Sequence, residues 1–145
     1  MKICLVGPAH PYRGGISHYS AMLAREMRAS HQLLLVNFSR LYPGFLFPGK
    51  TQFDESEPAL AVESQRLIDS TQPLSWRHAA DVICAFGPDV VVFQWWQPFF
   101  APAYRAMCER IHAHSQARVV FVCHNVLPHE RRRLGVGGPG DAQGG

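Results

Sequence analysis

What this chain has little of narrows it first. No apolar run approaches the roughly 20 residues that a membrane-spanning helix needs, and Met1 to Val6 is too short for a signal-peptide core and lacks a small-residue cleavage site. A cytoplasmic protein is the expectation. No two of the four cysteines, Cys4, Cys84, Cys108 and Cys123, stand in Cys-x-x-Cys spacing, and each lies in an apolar or periodic segment. They read as buried free thiols packed as small hydrophobes rather than as a redox or metal set. His10, His18, His124 and His129 follow no recognised metal-ligand spacing. Charge is sparse as well. The net charge of +3 equals what Arg131-Arg132-Arg133 alone would supply, so nothing here favours a nucleic-acid partner.

Two familiar phosphate motifs are also missing. The Gly-x-Gly-x-x-Gly dinucleotide fingerprint fails because six residues separate Gly7 from Gly14, and Asn37, not an acid, stands near the end of the second strand. A P-loop fails for want of a lysine after the glycines.

What is present suits one α/β domain, since 145 residues can bury a sizeable core. Lys2 to Gly7 is a short apolar run closed by Gly and Pro, which predicts a buried strand. After Gly15, the spacing of Ile16, Tyr19, Ser20, Leu23 and Met27 predicts an amphipathic helix with those residues inward. Gln32 to Phe38 is a second buried strand. Strand, helix and strand within about forty residues imply a right-handed parallel crossover. From Ser39 to Glu63 the pattern breaks into a long loop, punctuated twice by Pro-Gly and carrying Phe45-Leu46-Phe47 at its tip. That tip either folds back on the core or faces a membrane or acceptor.

Arg66 to Asp69 reads as a short edge strand. A helix follows, with Ser75 as N-cap and Trp76, Ala79, Ala80, Ile83 and Phe86 on one face, ended by Gly87-Pro88. Asp89 to Trp95 has an unbroken apolar centre, which predicts a central strand covered on both faces. Pro98 opens a further helix with Tyr104, Met107, Cys108 and Ile111 inward, and Arg118 to Cys123 is expected as another buried strand. Gly135 to Gly145 is low-complexity and cannot pack a core. The expected fold is thus a Rossmann-like, doubly wound parallel sheet with helices on both faces, spanning residues 1–130, with a disordered tail at 131–145.

In an open parallel sheet, ligands bind beyond the carboxyl ends of the strands. Three loops converge there: Gly7 to Gly15, Gln94 to Phe100, and His124 to Glu130. Gly14 and Gly15 permit close backbone approach to a phosphate at a helix start, although a tight turn alone would also use them. His124 exchanges protons near neutral pH, although a core histidine satisfied by backbone would look the same. Trp95, Trp96, Phe99 and Phe100 offer apolar platforms, with Trp95 in the core and Trp96 pointing the other way if the strand continues.

Three segments, Lys2-Ile3-Cys4-Leu5-Val6-Gly7-Pro8 through Arg13-Gly14-Gly15-Ile16, Pro88-Asp89-Val90-Val91-Val92-Phe93-Gln94-Trp95-Trp96, and Cys123-His124-Asn125-Val126-Leu127-Pro128-His129-Glu130, carry a resemblance. Together they resemble the N-terminal half of a family-four retaining glycosyltransferase of GT-B architecture. The resemblance implies transfer of a sugar from a nucleotide-sugar donor to a glycan or lipid-linked acceptor, with no prosthetic group and no metal. It implies that Gly14 and Gly15 meet the donor diphosphate, that His124 is the catalytic-site histidine beside the donor sugar, and that Arg13, His18, Trp96 and Asn125 lie on the acceptor side. It also implies a second, donor-binding domain that this sequence does not contain, so the chain alone is expected to be inactive. Peripheral contact at the inner face of the membrane would suit a lipid-linked acceptor. From a different class, a non-catalytic module that binds a partner or membrane through Phe45, Phe47, Trp96, Phe99 and Phe100 remains the alternative; a flavodoxin-like nucleotide binder rests on fold alone.

Overall fold

The fold follows from strand parity. In a computed structural model, which describes residues 1–10, 12, 15–42 and 62–124, five strands form one all-parallel sheet: β1 (Lys2–Val6), β2 (Gln32–Arg40), β3 (Gln65–Asp69), β4 (Val90–Trp95) and β5 (Arg118–Cys123). Their order is β3-β2-β1-β4-β5, the first five strands of the dinucleotide-binding arrangement. Three helices cover it: α1 (Gly15–Arg28), α2 (Pro73–Phe86) and α3 (Ala101–His114). This is a single Rossmann-like α/β domain. The expected edge strand at Arg66 to Asp69 is β3, and the expected central strand is internal, with β1 itself in the middle.

Alternate residues of each strand enter different cores, as the period of two requires. Cys4 and Val6 of β1, Leu34, Val36 and Phe38 of β2, and Val91 and Phe93 of β4 pack with Ala79, Ala80 and Ile83 of α2 and with Tyr104, Met107 and Ile111 of α3. Their neighbours Ile3, Leu5, Leu35 and Val92 face α1 and pack with its Ala24. One face therefore carries two helices and a large aromatic core. The other, among the described residues, carries one helix whose buried side chains are small.

Several expectations need correcting. α1 turns Ser20 inward as expected, but its buried companions are Ser17, Ala21 and Ala24, while Tyr19 is 41% exposed and Ile16, Leu23 and Met27 are only half-buried. The small residues let the helix lie close over β1 and β2, and a tyrosine there would hold it off. Ser75 is not the N-cap of α2; Gln72 is, with no side-chain cap bond. Ser75 sits inside the first turn, where its Oγ shares its one proton between the carbonyls of Gln72, at 2.6 Å, and Asp69, at 3.1 Å, and accepts from the Asp69 amide. The helix beginning at Pro98 starts as a 3-10 turn, Pro98–Phe100, before α3 proper. Gly87 does end α2, in the left-handed conformation at φ 70° with its N–H on the Ile83 and Cys84 carbonyls.

The largest correction is β5. It pairs in register with β4 from Val90↔Arg118 to Trp95↔Cys123, yet it is an edge strand with Val120 and Phe121 44% and 43% exposed. Cys123 is exposed too, and Cys84 and Cys108 are half-buried, so only Cys4 is the fully buried thiol expected. Burial pushes the Cys4 thiol far above its ordinary range and that of Cys108 up to about 11. All four are free. No helix among the described residues is long and apolar enough to cross a membrane. Residues 43–61, where a long loop with Phe45 and Phe47 at its tip is expected, and the residues from 125 onward lie outside the described residues.

Candidate functional site

The reversal of strand order falls between β1 and β4, and parallel sheets bind ligands at the carboxyl ends beside such a switch point. Gly7 follows β1 there, Gln94 is the penultimate residue of β4, and His124 follows β5. Parity puts Gln94 on the α1 face, opposite Phe93. An amide so placed must find partners, because an unpaired buried polar group costs about 1–3 kcal/mol. Gln94 is fully buried, and it finds them on both sides.

Its Nε2 donates to Ser20 Oγ of α1, and its Oε1 lies 2.9 Å from His124 Nε2. Ser20 Oγ in turn donates to the Ile16 carbonyl at 2.9 Å. The backbone around the amide is pinned as well. Tyr104 Oη donates to the Gln94 carbonyl at 3.0 Å, and the His124 amide donates to the Trp95 carbonyl at 2.9 Å. Gly7 leaves room for this chain of bonds: a Cβ there would stand 3.0 Å from Gln94 Nε2 and 3.1 Å from its Cβ. The imidazole of His124 is met edge-on by the Tyr19 ring, with centroids 4.9 Å apart. Desolvation lowers the His124 pKa below the ordinary histidine range, which favours the neutral ring.

Gly15 opens α1 at the same edge. It is exposed, its φ is not positive, and a Cβ would meet nothing within 4 Å. Neither backbone strain nor packing among the described residues therefore requires glycine there. The loop before it is braced. Buried Asn37 accepts from the Ala9 amide at 3.1 Å and donates to the Ala9 and His10 carbonyls at 3.2 and 3.0 Å. Arg66 reaches Tyr12 from β3, donating to its Oη at 3.3 Å with the guanidinium 5.4 Å from the ring centroid. Sequence reasoning noted Asn37 only as the missing acid; its role is to hold the loop that leads to α1.

The other expected site residues divide. Arg13, Gly14 and Asn125 lie outside the described residues. His18 is exposed on α1 and takes no part in the Ser20, Gln94 and His124 chain. Trp96 does not point away from Trp95, because the strand stops at Trp95. Both pack on the α2 and α3 face, with Trp96 tilted against Phe100 at 4.4 Å and edge-on to Phe38 at 6.3 Å. Phe100 is 1% exposed and is core, not platform, and among the described residues only Phe99 of the expected aromatic surface stands out. Gln94 is the residue that sequence reasoning missed. Its signal was available: one amide in the apolar run Val90 to Trp95, next to a strand ending in glycine.

Cavities of about 440 Å³, between α2 and α3 beside Trp76 and Arg110, and about 280 Å³, beside Arg28 and Glu63, both exclude His124 and Gly15. No group of three or more His, Cys, Asp or Glu side chains suited to a metal occurs among the described residues. No protein-family model matches the chain, and no curated protein gives a significant match.

Proposed function

We propose that the chain is the N-terminal, acceptor-side wall of a retaining glycosyltransferase. Such an enzyme moves a sugar from a nucleoside diphosphate to a glycan or lipid-linked acceptor. One observation carries this reading: His124, remote in sequence, stands over the first turns of α1, ringed by Tyr19 and bonded through Gln94 to Ser20. Two groups useful to glycosyl transfer thereby share one strand-end edge. The N-terminal amides of α1, starting at an unobstructed Gly15, suit the diphosphate whose charge grows as it leaves. A neutral imidazole suits the sugar hydroxyls.

Preorganised charge stabilisation of this kind needs both walls of a cleft, so the partner implied is a donor-binding domain. The test joins the chain to a complete donor-binding domain of a family-four enzyme and follows sugar release from uridine-, guanosine- and adenosine-diphosphate donors. Transfer by the joined protein, lost in its His124→Ala variant and absent from the chain alone, is expected. No transfer from any donor would overturn the reading.

The exposed Val120 and Phe121 on β5 favour a second reading, a binding module that docks its sheet edge on a partner or membrane. Co-sedimentation of the chain with anionic vesicles, reduced in Phe121→Ser, supports its membrane form; no binding removes it.

A further inference from the structure

The hydrogen bonds around Gln94 have only one consistent direction. The chain of bonds ends at the Ile16 carbonyl, a pure acceptor, so Ser20 must spend its single proton there. Ser20 Oγ therefore accepts from the Gln94 amide nitrogen, which leaves Gln94 Oε1, itself only an acceptor, facing His124 Nε2. The imidazole must then carry its proton on Nε2. Its Nδ1 makes no hydrogen bond among the described residues.

We propose that Gln94 is the positioning residue of this site: together with Ser20 it holds His124 as the Nε2–H tautomer and leaves Nδ1 as the ring's free acceptor. The group that His124 receives is then a hydrogen-bond donor, such as a sugar hydroxyl, and not an acceptor such as a phosphate oxygen. The identity of that ligand rests on the glycosyl-transfer reading. The state of the ring does not, because it follows from the bonds that link Ile16, Ser20, Gln94 and His124. The burial of Gln94 and Ser20, both 0% exposed, shields the bond between them from competing water. Gly7 belongs to the same device, since any side chain there would press on the amide.

Nitrogen-15 labelled histidine in the 145-residue chain reads the tautomer directly, with the His124 signals identified by their loss in His124→Gln. At pH 8 the wild-type ring is expected to be protonated on Nε2. In Gln94→Met, which keeps the bulk and removes the acceptor, the Nδ1–H population should rise about three- to tenfold, the worth of one ordinary hydrogen bond. Ser20→Ala should raise it in the same direction, and serves if Gln94→Met does not fold. A wild-type ring protonated on Nδ1, or folded variants with an unchanged tautomer ratio, would overturn the proposal. A residue that merely fills space would leave that ratio alone. Because the readout needs no substrate, its failure leaves the transfer reading standing, and failed transfer beside the expected tautomer overturns the transfer reading only.

Discussion

The two faces of the sheet are built from the same strands and do different things. Phe93 and Gln94 are neighbours in β4, yet one joins Tyr104, Met107 and Ile111 beneath α2 and α3, and the other reaches Ser20 and His124 beneath α1. On the first face large side chains interdigitate: Phe93 packs edge-on to Tyr104 at 4.8 Å and stacks on Phe121 at 5.3 Å. On the second, serine and alanine bring the helix close and leave a directed line of hydrogen bonds. The contrast separates stability from chemistry by strand parity alone. A change on one face should therefore alter folding, and a change on the other should alter what the edge can bind.

The largest expected effect lies on the apolar face. Ile111 is fully buried, so Ile111→Ala should lower unfolding free energy by about 2–5 kcal/mol through lost burial and the cavity left behind. Denaturant titration checks this, and His124 in the same variant should keep its tautomer. Gly7→Ala crosses the divide. Its new Cβ would meet Gln94 at 3.0–3.1 Å, which predicts a loss of about 1–3 kcal/mol typical of overpacking, together with a disturbed His124 spectrum. A stable Gly7→Ala with an unchanged ring would break the claim that glycine there serves Gln94.

Gly15→Val should be the mildest of the three for folding, within about 0.5 kcal/mol, because the position has open space and no positive φ. In an active joined protein it should nevertheless abolish transfer by obstructing the approach of a diphosphate to the amides of α1. Unchanged transfer would return Gly15 to a plain helix start.

Much of this was legible in the sequence, and the failures have physical reasons. Apolar runs closed by Gly and Pro located the strands, and helical spacing found α2 and α3 with their buried residues Ala79, Ala80, Ile83, Tyr104, Met107 and Ile111. Spacing placed Ser20 inward but misjudged its companions in α1 because it weighs hydrophobicity and not size; Ser17, Ala21 and Ala24 face inward since closeness to the sheet matters more there than apolar area. It misjudged β5 because Val119 to Val122 looks the same in the middle of a sheet as at its edge. Position within a sheet is a property of topology, not of local composition. Asn37 was hidden for a related reason: its amide is satisfied by Ala9 and His10, more than twenty residues away, and no local pattern announces them. Gln94 did stand out as the one amide in an apolar run, but its partners Ser20 and His124 are just as remote in sequence.

The state of His124 on acidification is the most direct test of the account. Desolvation lowers its folded pKa, so as pH falls through the ordinary histidine range near 6.5 the unfolded chain takes up this proton first. Stability is thus undiminished above that range and declines as pH drops toward the lowered folded value, by a small amount because the ring is exposed. The incoming proton should bind Nδ1, since Nε2 already holds one against Gln94. Nitrogen-15 titration of the wild-type ring from pH 8 to pH 4 decides the matter. The account predicts an Nε2–H ring at pH 8 whose Nδ1 alone gains a proton, with a midpoint below 6.5. A ring that begins as Nδ1–H, or titrates above that midpoint, would contradict it.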